Sequence, residues 1–197
     1  MRRTLSEIRA VCIRAARGAG CPWGLAEEAG IAARVLEAHG LPGVAALSRL
    51  FERRSGCACH RDPETPSCGL WEMAALSDDL PDTGRRLGPV SAPLLLVVPC
   101  LLDARSGGGW RIDWEDGAIV CGPGGVAREG GLFPDKVASV SVTRAAPPAE
   151  SVPPDWRSRD VPDAAWCHLE ALAARTYVPE TAASRISGAG PGTADTD

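Results

Sequence analysis

Through the first fifty residues, apolar positions recur at helical spacing. Ser6 precedes Ile8, Val11, Cys12, Ala15 and Ala16, which share one face of a helix that Ser6 would cap. Gly18 and Gly20 end that helix. Pro22 suits a first helical turn, and a second helix is predicted over Trp23–Ala38, with Leu25, Ala29, Ala32, Ala33 and Leu36 inside. His39, Gly40 and Pro42 stop it. A third helix over residues 43–53 would bury Val44, Leu47, Leu50 and Phe51.

The pattern then changes. Residues 55–69, with Pro63 and Pro66, form a loop. Residues 70–76 are too short a run to separate a helical turn from a strand. Residues 94–102 are continuously apolar and compatible with a strand. Around Trp110 to Trp114 the alternation has period two, which puts Trp110, Ile112 and Trp114 on one face. Glu115, Asp116 and Gly117 make a turn, and residues 118–121 return as the hairpin partner. Alternation resumes over 137–143, with Val137, Ser139, Ser141 and Thr143 opposite Ala138, Val140 and Val142. Five prolines mark residues 146–162 as a connection. Asp163 then caps a last helix with Trp166, Leu169, Leu172 and Ala173 on its apolar side. The expected architecture is α+β: N-terminal helices and a C-terminal helix packed on a small, mainly antiparallel sheet. It reads as one domain over 1–197: helical 4–54, loop 55–69, sheet 90–144, proline-rich connection 146–162, and a helix with a Gly-rich tail over 163–197. Composition alone favours a disordered tail.

Charge narrows the function. A net charge of −4 argues against non-specific nucleic-acid binding, which needs a basic face. Arg49, Arg53 and Arg54 form only a local basic cluster, read as a solvated helix end. Of 21 basic residues one is lysine, so lysine chemistry would fall to Lys136. Glu7, Arg9 and Arg14 interrupt any leader-like stretch, and residues 92–102 are too short to span a bilayer. The expectation is a cytoplasmic protein with 8 reduced cysteines and neither nucleic-acid nor membrane partners.

Two related phrases stand near the chain's ends: Arg17-Gly18-Ala19-Gly20, and Arg185-Ile186-Ser187-Gly188-Ala189-Gly190. Each joins a guanidinium to a loop whose backbone N–H groups can converge on an anion. The first runs into a helix N-terminus, where the dipole also favours negative charge. If the fold unites the phrases, Arg17, Gly18, Gly20, Trp23, Ser184, Arg185, Gly188 and Gly190 would bind a small carboxylate or phosphate, with Trp23 as an apolar wall. Glycines that serve only a helix–helix turn are the plainer explanation. Catalytic candidates are Glu27 or Glu28 as base and Tyr177 as acid. Complementing the helix dipole is the ordinary role of the two glutamates. Cys57, Cys59, His60 and Cys68 are soft ligands for zinc, but their spacing is poor for it. Cys21 stands before a helix start, where thiol pKa values fall, yet nothing links it to His39, His60 or His168.

The stretch from Ala15 to Gly30, with Arg175-Thr176-Tyr177-Val178-Pro179 and the distant Ser184-Arg185…Gly188-Ala189-Gly190, resembles an uncharacterised bacterial family, domain of unknown function 3726. The resemblance extends along nearly the whole chain, weakly in the middle. It implies bacterial origin and supplies no activity. It also implies that the Cys21 position varies and that the cysteine loop is particular to this chain, which weakens both a nucleophile and zinc. Three functions remain open: a protein or accessory subunit binding an anionic metabolite; a small enzyme acting on a carboxylate; and a module that pairs with an enzyme or a second copy of itself. No cofactor is expected.

Overall fold

Thr4, not Ser6, starts the first helix. Thr4 Oγ1 accepts from the Glu7 N–H at 3.2 Å, and Glu7 Oε2 accepts from the Thr4 N–H at 2.8 Å. This reciprocal capping box satisfies two donors and moves the helix start to Leu5. The computed structural model describes residues 1–52, 66–131 and 133–177. Its helices are α1 (Leu5–Gly18), α2 (Trp23–Ala38), α3 (Gly43–Glu52), α4 (Gly69–Asp78), α5 (Val97–Ala104) and α6 (Asp163–Ala174). Its strands are β1 (Arg2–Thr4), β2 (Ser67–Cys68), β3 (Arg85–Leu87), β4 (Val90–Ser91), β5 (Gly109–Trp114), β6 (Gly117–Gly122), β7 (Gly125–Gly130), β8 (Lys136–Val137), β9 (Val140–Ala145) and β10 (Ser158–Asp160). The fold class is α+β.

The largest sheet is antiparallel, in the order β3-β9-β5-β6-β7. Ile112 pairs with Ile119 on one side and Val142 on the other. Trp110, Ile112 and Trp114 all point into the core, as their alternation predicts. Helix α5 lies against β5 and β6 on that face. The connection after β9 crosses the end of the hairpin formed by β6 and β7. There Val152 bridges Val126, and Gly125 (φ +130°) brings its backbone against the Val152 carbonyl.

Two expectations for this region change. The apolar run 94–102 is not a strand: residues 93–96 form a 3-10 turn that leads into α5. Every residue from Leu94 to Leu101 is buried, so burial on all sides erased the period that separates helix from strand. Pro99 falls in the first turn of α5, where its missing N–H has no intrahelical acceptor to lose. The alternation over 137–143 also splits. Val140 and Val142 enter the large sheet on β9, whereas Val137 is buried through β8, which pairs with β4 in a separate three-stranded sheet.

The N-terminal segment meets β10 and α6. β1 pairs antiparallel with β10, Arg3 stacks on the buried Trp166 ring at 4.7 Å, and α1 packs against α6. Asp163 does not cap α6. It is the first helical residue, Pro162 precedes it, and its Oδ1 accepts from the Met1 amino group at 2.6 Å. Helix α2 packs against α1 through Gly30, where an added Cβ would lie 2.4 Å from Ile13. Among the described residues, no helix is long and apolar enough to cross a membrane.

Candidate functional site

The corner between α1 and α2 holds the first arginine-glycine phrase. Gly20 adopts φ +89°, a left-handed conformation that glycine takes without strain. It turns the chain so that the Cys21 N–H donates to the Ala16 carbonyl at 2.9 Å. Pro22 then starts α2 with no side chain capping it. The first-turn amides of Trp23, Gly24 and Leu25 find no acceptor among the described residues. Trp23 and Gly24 are exposed, whereas Leu25 is buried.

Arg17 is anchored over this turn. Its Nη1 donates to the Cys21 carbonyl, and its guanidinium carbon lies 4.5 Å from the centre of the Trp23 ring, which is 66% exposed. That stack fixes a positive charge beside the uncapped helix start, and the other guanidinium N–H donors find no acceptor among the described residues. Gly18 has a different task. A Cβ there would stand 1.9 Å from the Leu172 carbonyl oxygen, so the glycine lets the end of α1 touch the end of α6. Arg175 is the next group at that contact, and the chain runs on through the exposed Tyr177. The route toward the second phrase therefore leaves from beside the first. Ser184, Arg185, Gly188 and Gly190 themselves lie outside the described residues.

The remaining candidates separate. Glu27 is exposed. Burial, then the negative charges of Asp78 and Glu27, push the Glu28 carboxyl above its usual range. Cys21 is fully buried. Cys57, Cys59 and His60, like Arg53 and Arg54, lie outside the described residues, while Cys68 is buried at the start of α4. The described residues contain no group of three or more metal-ligating side chains.

Two polar clusters escaped the sequence reading. At the C-terminal end of α2, Arg159 donates to the Glu37 and Ala38 carbonyls at 2.6 and 2.7 Å and pairs with Asp155 at 3.3 Å. The Asp155 N–H also donates to the Ala38 carbonyl. The buried Glu37 carboxylate accepts from the Val44 N–H at 2.9 Å and so caps α3. Burial nonetheless pushes its pKa up to about 7, against the opposing pull of the Val44 and Gly43 amides and Arg159. His39 bonds Val35 at 2.8 Å and meets the Trp156 ring edge-on, and burial lowers its pKa. The second cluster joins α3 to α6: Ser48 Oγ lies 2.9 Å from His168 Nδ1 and 3.3 Å from Glu52. Serine and glutamate approach the same ring nitrogen (3.6 Å for Glu52), so they do not form a hydrolytic triad, which needs them on opposite nitrogens.

A family model described as "Protein of unknown function (DUF3726)" matches residues 3–63. Residues 3–63 are thus similar to that family, over about a third of the chain. The DUF3726 match takes in β1, α1, α2 and α3, and with them Arg17, Gly18, Gly20 and Trp23. It does not take in the three- and five-stranded sheets or α6, so it is narrower than the nearly full-length resemblance expected. Comparison with curated proteins and with solved structures gives no match.

Proposed function

We propose that the protein binds a small anionic metabolite, a carboxylate or a phosphate, at the α1–α2 corner. One observation carries the reading: three amides at the start of α2 lack acceptors among the described residues, beside an arginine fixed in place by Cys21 and Trp23. Such a start to a helix favours an anion through its donors and its dipole together. Trp23 offers an apolar wall, and Ser184, Arg185, Gly188 and Gly190 supply the second half of the site. The contact between Gly18 and α6 supports that half, because it starts the final segment next to the first phrase.

Thermal-shift measurements against organic acids and inorganic phosphate test the reading. A ligand at a hundred times its dissociation constant adds about 2.7 kcal/mol to stability, and Arg17→Ala and Arg185→Ala should each abolish the rise in melting temperature. A response that survives both substitutions, or no response across the panel, refutes the site. A second reading, an enzyme with Glu28 as base and Tyr177 as acid, draws on the raised Glu28 pKa.

A further inference from the structure

The core face of the five-stranded sheet ends in a strip without side chains. In register, Trp114 on β5 faces Gly117 on β6, and Gly117 faces Gly130 on β7. Cross-strand partners share a face, and positions two apart repeat it, so all three lie on the side that buries Ile112 and Ile119. Two glycines in succession leave bare backbone beside the Trp114 indole. Trp114 is 8% exposed, and its Nε1–H is buried with no acceptor among the described residues. A Cβ at Gly117 would stand 3.2 Å from Nε1, so that nitrogen lies against the strip. A buried donor left without an acceptor costs about 1–3 kcal/mol, and an acceptor brought by a ligand recovers it. Arg128 borders the same strip: it is the next residue on this face of β7, opposite Ile119. It is exposed and has no carboxylate partner among the described residues. Its guanidinium carbon lies 4.6 Å from the centre of the Phe133 ring, and that ring lies 6.2 Å from Trp114, tilted by 56°. Phe133 therefore meets both the cation and the indole. It comes from the connection between β7 and β8, and it is only partly buried.

We propose that Trp114 and Arg128 bind a small aryl carboxylate over this strip, and that Phe133 holds the place of the ligand's ring. An indole N–H and a guanidinium donate hydrogen bonds and accept none, which selects a carboxylate. Only β6 separates their strands, about 5 Å from each, a gap that the long arginine side chain can bridge. The ring already seated against both groups sets the size and shape of what fits. On binding, the ligand's ring takes the place of Phe133 and its carboxylate accepts from Trp114 Nε1–H. Arg128 exchanges a cation–π contact for a charge-assisted hydrogen bond. Inorganic phosphate has no ring to replace Phe133, so this strip and the α1–α2 corner differ in what they take.

Titration of the full chain with benzoate tests this, followed through the indole N–H signals in NMR spectra. The chain has 6 tryptophans, and the signal lost in Trp114→Phe belongs to Trp114. Benzoate should move that signal downfield, as an unpaired N–H gains an acceptor. Benzamide, which keeps the ring but not the charge, should bind about tenfold or more weakly, and Arg128→Gln should weaken benzoate by a similar factor. Phe133→Ala, or Phe133→Leu if the first variant fails to fold, should tighten benzoate by removing the competing ring. Four results overturn the proposal: a Trp114 signal unmoved by tens of millimolar benzoate, an equal response to benzamide, a benzoate affinity untouched by Arg128→Gln, or weaker binding in the Phe133 variant. Phosphate should leave the Trp114 signal in place, and Arg17→Ala should leave its benzoate response unchanged. The phosphate thermal shift thus reports the α1–α2 corner alone, and either site can fail without the other.

Discussion

Glu37 offers a measurement of how far burial outweighs favourable contacts in this fold. Glu37 is 6% exposed, and its carboxyl caps α3 through Val44 and lies near Arg159, yet its pKa stands at about 7 against an ordinary 4.5. Between those values the folded chain holds a proton that the unfolded chain has released. The group's contribution to stability is therefore complete below about pH 4.5 and is lost as pH rises through about 7. At about 1.4 kcal/mol per pH unit, the whole effect is roughly 3 kcal/mol, of which about 2.5 falls between pH 5 and pH 8. Glu37→Gln removes the titration but keeps an amide oxygen to accept from Val44. Urea unfolding of both proteins across pH 5 to 8 should show the wild-type advantage over Glu37→Gln shrinking by about that amount as pH rises. His39 titrates with the opposite sign, since its lowered pKa costs stability as pH falls; both proteins carry it, so it largely cancels in the difference. A difference that stays flat refutes the reasoning. So does one that grows with pH, which would mean that Arg159 and the α3 amides overcome burial and keep the carboxylate charged.

Two further substitutions test packing and polar pairing. Gly18→Ala places a methyl 1.9 Å from the Leu172 carbonyl oxygen and should cost about 1–3 kcal/mol in urea unfolding, by forcing α1 and α6 apart; no loss would mean that this contact is loose. Asp103→Ala removes the acceptor of both the Trp110 indole N–H and Arg144, each at 2.7 Å. It should destabilise the protein by about 1–3 kcal/mol because the N–H of a fully buried tryptophan is left unpaired, and an unchanged unfolding midpoint would contradict that account.

The sequence was most legible where one local rule decided the outcome. Helix α2 runs over Trp23–Ala38 as predicted, because Pro22 and the His39-Gly40 stop bound an uninterrupted apolar stripe. The hairpin of β5 and β6 follows from strict alternation around a turn. Residues 94–102 were misread because a run buried on every side carries no period. The clusters around Glu37 and Ser48 were invisible for another reason. Arg159 meets Glu37 across 122 positions and Ser48 meets His168 across 120, distances over which a single sequence carries no pairing signal. Gly18 belongs to both classes. Its place in the arginine-glycine phrase marked it as a turn or ligand residue, while its packing against α6 depends on a helix more than 150 positions away.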